Sequence, residues 1–184
     1  MSSGVESKDE GGAVVVRAMR REDMADIHRM IHELATFESC PDGPRLSIRD
    51  LIEDGFESSP PWFFGLVAER GGALVGHALC NRAYSSWTRR AFYIEDLYVA
   101  PSARRAGVAT KLLQALCKMA VEADVHRVDW HVLEGNQRAL SFYGRLGARD
   151  LRVSEGRAAL RLDRPRIEAV AEGQLLPPKD EHIN

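Results

Sequence analysis

The chain has 184 residues, of which 45% are hydrophobic and 28% are charged, so we expect one ordinary-sized domain with a buried core. Its 25 Lys and Arg against 27 Asp and Glu give a formal net charge of −2, which excludes a strongly basic surface for nucleic acid or an anionic membrane. The longest dense apolar stretch, 62–68, is too short to span a bilayer, and the polar N-terminus has no signal-peptide core. Three widely spaced cysteines without a CxxC pair predict reduced thiols in a cytoplasmic protein, not a disulfide scaffold or a metal site.

The first part of the chain predicts a strand followed by an amphipathic helix. Residues 13–17 are an apolar, β-branched run. Met24, Ile27, Ile31 and Leu34 then recur at helical spacing, with charged residues between them.

A second helix and a hairpin are predicted next. Residues 47–50 resemble a capping box that opens a short helix, and Gly55 is expected to end it. The apolar runs 62–68 and 73–80 flank a turn that contains two glycines, which is typical of a hairpin.

The rest of the chain alternates between strands and helices, which indicates an α/β (α+β) sheet of mixed strand direction. We predict a strand over 92–99, a helix from about Arg105, a strand over 126–133, a helix over 136–146 and a hairpin of 151–153 with 158–162. The predicted organisation is a flexible tail over 1–12, one domain over 13–166 and a polar tail over 167–184.

The segment 99–110 joins the end of an apolar strand to the start of an amphipathic helix. Its small residues let a ligand approach the backbone, and free N–H groups at a helix N-terminus attract an anion. A tight turn with small residues for packing explains this segment equally well when it is taken alone. A P-loop is excluded because no Gly-Lys-Ser/Thr follows, and the single glycine excludes a dinucleotide fingerprint.

The pattern Arg104-x-x-Gly107-x-Ala109 resembles the pyrophosphate loop of the GNAT acetyltransferases. Further stretches resemble the diamine acetyltransferase branch of that family, and together they cover roughly residues 14–163. These stretches are 14–17, 33–38, 50–56, 66–69, 93–96, 134–136 and 141–148. The resemblance implies a GNAT fold, with a central mixed, mostly antiparallel sheet flanked by helices and a pyrophosphate loop between a central strand and a long helix.

The resemblance also implies acetyl-CoA as co-substrate and no metal. The implied cofactor-binding residues are Leu97, Tyr98, Val99, Arg104, Arg105, Ala106, Gly107, Val108, Ala109, Thr110, Asn136, Ala139 and Tyr143. Asn136 is equally well placed to cap the helix that follows it, and the two roles are compatible.

Two residues match the family's catalytic groups. Tyr143 matches the general acid, because a phenol is protonated at neutral pH and can give its proton to a departing thiolate. Glu95 matches the base that takes a proton from the attacking amine. The alternatives are a half-buried core tyrosine and ion pairs of Glu95 and Asp96 with Arg89 or Arg90. Neighbouring strand residues face opposite sides, so Glu95 and Asp96 share a role only if a bulge intervenes, as it does in the family.

The resemblance implies a site for an aliphatic cation. The implied substrate-binding residues are Phe37, Glu38, Trp87, Glu95, Asp96 and Glu155. Each taken singly is compatible with an ordinary surface residue. Ser85 and Arg157 depart from the polyamine-acetylating members, which have an acid and an aromatic there, so a thialysine-like amino acid or a short diamine is expected over a long polycation.

Two other functions compete with a small-amine N-acetyltransferase. One is acetylation of a protein N-terminus or lysine, and the other is a non-catalytic module that binds CoA as a sensor. Retention of Glu95 and Tyr143 disfavours the sensor, since a pure binder needs neither. The resemblance implies a homodimer, and the net charge of −2 predicts no nucleic-acid or membrane partner.

Overall fold

The computed structural model describes residues 12–174. The predicted N-terminal tail lies outside the described residues apart from Gly12, and so does the predicted C-terminal tail beyond residue 174. The chain forms two compact units, one ending at Leu133 and the other beginning at Glu134.

The first unit is built on a five-stranded sheet with the strands in sequence order. Strands β1 to β4 pair antiparallel, whereas β5 pairs parallel to β4. The mixed, mostly antiparallel sheet that the sequence predicts is therefore confirmed. The strands are β1 (Val15–Ala18), β2 (Phe64–Arg70), β3 (Ala73–Ser85), β4 (Arg89–Val99) and β5 (Arg127–Trp130).

A two-residue turn joins β2 to β3. Gly71 and Gly72 both have positive φ, 59° and 80°, which is the conformation that matches the twist of two paired strands. The hairpin is therefore confirmed, with β2 running two residues beyond the predicted apolar run.

Helices α1 (Met24–Phe37) and α2 (Ile48–Ile52) cover one face of this sheet. The predicted capping box is present, because Ser47 accepts from the Asp50 N–H while the Asp50 side chain accepts from the Ser47 N–H. Apolar side chains of both helices pack against the sheet to form the core. Its buried members are Met19, Met24, Ile27, Met30, Ile31, Leu51, Phe63, Val67, Leu79 and Tyr98.

Helix α3 (Val108–Glu122) covers the opposite face. Gly76 of β3 allows this contact, since a Cβ there would meet the Tyr98 carbonyl at 2.7 Å and the Val108 side chain at 3.4 Å. The buried face of α3 consists of Val108, Leu112, Leu113, Leu116 and Ala120. Sequence analysis placed the helix start at about Arg105, which is wrong because residues 104–107 form an irregular loop.

The second unit contains α4 (Gln137–Arg145), α5 (Leu151–Glu155) and α6 (Arg164–Ala171). The predicted last hairpin is wrong, since its first half is α5 and residues 156–163 carry no regular structure. Asp150 caps α5 by accepting from the Arg152 N–H at 2.9 Å, and Gly156 ends it with φ of 64°. The predicted boundary at 166/167 falls inside α6.

Gly55 does not end the second helix as predicted. The chain continues from α2 through a wider helical turn over Glu53–Glu57 and breaks at Ser58, just before the two prolines. Within residues 12–174, no helix has the length and apolar character needed to cross a membrane.

Candidate active site

A bulge interrupts β4 at the acid pair. Leu79 of β3 lies opposite Asp96, but the next residue, Cys80, lies opposite Ile94. Glu95 is therefore an extra residue in β4, and the strict alternation of faces is broken there. The bulge that sequence analysis required for Glu95 and Asp96 to act together is present.

Both acids lie on the face that α1 covers. Asn81 follows Leu79 by two residues on β3 and so shares the face of Leu79 and its partner Asp96. The Asn81 Nδ2 donates to Glu95 Oε2 at 3.5 Å, which brings Glu95 to the same face. Glu38 follows α1. Its pKa is raised mainly by partial loss of water and to a smaller extent by repulsion from Asp96. Three carboxylates thus converge at this end of α1.

The alternative ion pairs with the neighbouring arginines do not form. Arg89 pairs with Asp124 at 3.1 Å, and the Arg90 guanidinium donates to the Ala123 carbonyl at 2.9 Å. These arginines connect the start of β4 to the turn after α3, so they leave the two acids for another cation.

The peptide groups of Leu97 and Val99 face away from β3. The Ala100 N–H donates to the Val75 carbonyl at 2.9 Å, which makes these two residues a hydrogen-bonded pair. Hydrogen-bonded and non-hydrogen-bonded pairs alternate along an antiparallel ladder, so Tyr98 bonds to β3 whereas Leu97 and Val99 point to the opposite edge.

That opposite edge of β4 is open near its end. Strand β5 pairs with β4 only from Ala91 to Ile94, and no strand in residues 12–174 pairs with the edge beyond Ile94. The Val99 carbonyl does face this edge, because it accepts from the Arg104 Nε at 3.1 Å. The edge therefore offers backbone donors and acceptors to an extended ligand.

Tyr98 has no group on the open edge, although the resemblance implies it as a cofactor residue. Its peptide pairs with β3, and its buried side chain donates from the hydroxyl to Glu33 Oε2 at 2.6 Å. Burial and the bond to Glu33 raise the pKa of Tyr98 to about 12. We assign Tyr98 to the core that supports the site.

The loop before α3 has the backbone of an anion site. Arg105 has φ of 66° and Gly107 has φ of 72°, both in the left-handed region that non-glycine residues rarely adopt. No side chain caps α3, so its first N–H groups, at Val108, Ala109 and Thr110, point out of the helix end without a capping acceptor. Ala106, between the two left-handed residues, is exposed. Such an arrangement attracts phosphate groups.

The Arg104 side chain connects the loop to α1 and β4. Its guanidinium lies over the Phe37 ring with 5.3 Å from Cζ to the centroid, while its Nε bonds to Val99. Phe37, predicted as a substrate wall, is 54% exposed and so still presents part of its ring to solvent. One arginine thereby joins the end of α1, the end of β4 and the loop.

Trp87 lies in the turn between β3 and β4. Its N–H and that of Thr88 both donate to Ser85 Oγ at 3.2 Å, so Ser85 shapes this turn. The Trp87 side chain is 82% exposed within this chain. The turn therefore presents an aromatic surface at the far end of the hairpin.

In the second unit, Asn136 caps α4. Its Oδ1 accepts from the Ala139 N–H at 3.1 Å, so the capping role is confirmed, and its Nδ2 group stays available to a ligand. Tyr143 is half-buried on the same helix. Burial raises its pKa above the ordinary value of 10, which keeps the phenol protonated at neutral pH.

Glu155 is already paired with two cations of the second unit. Arg157 Nε lies 2.6 Å from Glu155 Oε2, and Arg149 Nη2 lies 3.6 Å from Oε1. These pairs reduce the negative charge that Glu155 can offer to a substrate. Its substrate-binding role stays a prediction.

His77 is a feature that the sequence analysis missed. It is fully buried on β3, 4.0 Å from Asp96 through Nε2. A histidine within the apolar run 73–80 is the signal that could have drawn attention to it.

Known proteins match this chain in sequence and in fold. A model of the "Acetyltransferase (GNAT) family" matches residues 24–148. Thialysine N-epsilon-acetyltransferase of Mus musculus is 37% identical over 156 residues, covering 80% of this chain and 91% of that protein. The Sus scrofa protein of the same name is 35% identical over 159 residues, covering 82% and 93%.

Among solved structures, an integron cassette protein from the mobile metagenome of V. cholerae superimposes with a TM-score of 0.70. It is 21% identical and covers 86% of this chain and 98% of that one, a likeness that shows the fold alone. The family model and the curated relatives together cover most of the sheet, the loop and α4. The chain therefore belongs to the GNAT family of acetyltransferases.

Proposed function

We propose that the chain transfers an acetyl group from acetyl-CoA to a primary amine of a small aliphatic amine, such as a thialysine-like amino acid or a short diamine or polyamine. The bulge at Glu95 carries this proposal, because it brings Glu95 and Asp96 to one face beside Glu38. Carboxylates that repel one another gain from a cation between them. The names of the curated relatives support the same substrate class.

The chemistry needs three proton transfers, because the nitrogen loses two protons in passing from ammonium to amide and the sulfur gains one. An alkyl ammonium has a pKa of about 10 and must lose a proton before it attacks. Glu95 accepts that proton, the nitrogen forms a bond to the thioester carbonyl carbon, and the C–S bond breaks. The departing thiolate takes its proton from Tyr143, whose raised pKa keeps the donor available. The second proton of the attacking nitrogen, lost as the amide forms, returns the Tyr143 phenolate to its phenol form.

Two features of the backbone support a position for the co-substrate. The open edge of β4 at Leu97 and Val99 suits the amides of a pantetheine arm, and the N-terminus of α3 suits the pyrophosphate. The Nδ2 group of Asn136 is a further donor. Pairing of the thioester carbonyl with a backbone N–H of this edge would stabilise the charge that develops on its oxygen.

A small acceptor is favoured over a long polycation. Ser85 is engaged in the β3–β4 turn, and the Glu155 carboxylate is paired with Arg157. Neither position therefore offers a free negative charge to a distant ammonium. A short amine needs only the acids at the end of α1.

The experiment is free-thiol release from acetyl-CoA over thialysine, lysine, putrescine, spermidine and spermine. We expect turnover of at least one short amine, with kcat reduced about 100-fold in Glu95→Gln. Glu122→Gln, an exposed acid of α3, is the matched control and should behave as wild type.

Failure to turn over any amine would overturn this proposal. The alternatives are then separated by thermal shift and peptide substrates. Stabilisation by acetyl-CoA with acetylation of a peptide indicates a protein acceptor, whereas stabilisation without any acetylation indicates a CoA sensor.

We also propose a homodimer in a reducing compartment. The dimer rests on the resemblance alone. Cys40, Cys80 and Cys117 are all free thiols, which is compatible with the cytoplasm. Sedimentation velocity should give twice the monomer mass, and a monomer at micromolar concentration would contradict this.

A further inference from the structure

His77 carries an unexplained polar side chain in the core. It has no exposed surface, and within residues 12–174 neither ring nitrogen has a hydrogen-bond partner. A neutral imidazole always has one N–H donor and one acceptor, and burial of both without partners opposes folding. An apolar side chain of similar size would avoid that cost. The position therefore needs a reason beyond packing.

The carboxylate of Asp96 provides a reason for a histidine at position 77. His77 and Leu79 are two residues apart on β3, so His77 shares the face of Leu79 and of its partner Asp96. His77 Nε2 lies 4.0 Å from Asp96 Oδ2, about 1 Å more than an N–H···O hydrogen bond. The Asp96 side chain is partly exposed whereas the imidazole is fully buried, so the carboxylate is the group with room to rotate across this gap.

Two ionisable groups interact with Asp96 electrostatically, Glu38 and Cys80. Glu38 repels Asp96 from the end of α1. Cys80 lies three residues after His77 on β3, and it is a neutral thiol because burial and Asp96 raise its pKa to about 12. The Tyr98 ring lies 6.1 Å from the imidazole, and its hydroxyl donates to Glu33. Glu95, the extra residue of the bulge, lies on the same face. A hydrogen-bond donor is what Asp96 lacks in this setting.

We propose that His77 is a positioning residue for Asp96, donating its Nε2–H to that carboxylate and holding it towards the substrate ammonium. The inference rests on the proposed function, in which Asp96 binds the amine. A hydrogen bond from a buried donor to an ionised acceptor is strong, because the surroundings screen it little. His77 thus acts on the substrate through Asp96 without touching it.

The kinetic test compares His77→Phe with His77→Gln. The Phe variant should raise KM for the amine about tenfold while KM for acetyl-CoA stays within about twofold. The Gln variant keeps an N–H donor and should restore most of the affinity. In an Asp96→Asn background, His77→Phe should raise the amine KM little further, because both substitutions remove the same interaction.

The melting temperature distinguishes positioning from packing. His77→Phe should melt no lower than wild type, since it removes two unpaired polar atoms from the core. A lower melting temperature with both KM values raised together would assign His77 a purely structural role. Equal amine KM in wild type and His77→Phe would also overturn the proposal.

A second measurement does not depend on catalysis. In protein labelled with ¹⁵N-histidine and saturated with CoA and putrescine, Asp96→Asn should move the ring ¹⁵N resonances of His77, identified by their loss in His77→Gln. Unmoved resonances would overturn the proposal. If no amine is turned over but these resonances move, the proposed function fails while the contact between His77 and Asp96 stands.

Discussion

The guanidinium of Arg104 lies over the ring of Phe37, with 5.3 Å between Cζ and the ring centroid, and its Nε bonds to Val99. The helix that ends beside the acids is thereby joined to the loop that is proposed to hold phosphate. One side chain couples the two halves of the site.

Phe37→Leu should therefore weaken the binding of acetyl-CoA, although Phe37 is proposed to line the amine side of the site. Loss of a partly exposed cation–π contact is worth about 0.5–1 kcal/mol, so KM for acetyl-CoA should rise about two- to fivefold. Phe56→Leu, which loses an edge contact with Phe63, is the control. Steady-state kinetics with acetyl-CoA varied would contradict the coupling if both variants behaved alike.

Tyr143→Phe should reduce kcat about 100- to 1,000-fold with little change in either KM, because the ring stays and only the proton donor is lost. Tyr84→Phe, at an exposed tyrosine, should keep full activity. Burial raises the pKa of Tyr143 above its ordinary value, so the phenol keeps its proton at neutral and mildly alkaline pH. The wild-type kcat should show no loss from this group between pH 7 and 9.

Gly107→Ala should raise KM for acetyl-CoA and lower the melting temperature. Gly107 has φ of 72°, and a side chain in that conformation costs about 1 kcal/mol. Gly72→Ala meets the same backbone cost in the β2–β3 turn, with φ of 80°, and is the matched control. It should lose stability without any change in co-substrate affinity.

Glu38→Gln should stabilise the free protein at pH 7. Loss of water and repulsion from Asp96 raise the pKa of Glu38, so the ionised form lowers the free energy of unfolding above the usual carboxyl pKa. The gain should vanish below about pH 4, where both states bind the proton. The same variant should weaken the binding of a diamine more than that of a monoamine. A comparison of KM for putrescine and butylamine would show this.

Asp23→Asn should destabilise the fold by about 3 kcal/mol. Burial opposes the charge of Asp23, but two bonds from Arg17 at 2.7 and 2.9 Å and one from the Arg20 N–H outweigh it and lower its pKa. This stability is present above about pH 4 and is lost as pH falls through the lowered pKa. Chemical denaturation from pH 3 to 7 should show a flatter profile for Asp23→Asn than for the control Asp42→Asn.

Local chemistry made several elements predictable. The spacing of Met24, Ile27 and Ile31 defines α1, the capping box at Ser47 opens α2, and Asn136 caps α4. Each depends on contacts within one turn or one helix face, and such contacts can be inferred from residues that are close together in the sequence. The membership of the family and the mixed sheet followed from such elements in order.

The last predicted hairpin failed because short apolar runs do not distinguish a strand from a helix. Leu151 to Val153 read as a strand, although Asp150 and Gly156 carry the cap and stop signals of a short helix. The prediction that Gly55 ends the second helix failed because a glycine ends a helix only when its backbone leaves the helical conformation. Gly55 does not adopt a positive φ, and the helical turn continues through it.

The sequence by itself determined the family, the order of most elements and the residues that carry the proposed chemistry, because these depend on neighbours along the chain. Only the tertiary structure decided how they are presented. The bulge that brings Glu95 and Asp96 to one face, the edge of β4 on which Leu97 and Val99 lie, and the burial of His77 all depend on pairing between strands. Such pairing is set by contacts far apart in sequence, where a shift of one residue reverses the face of a side chain.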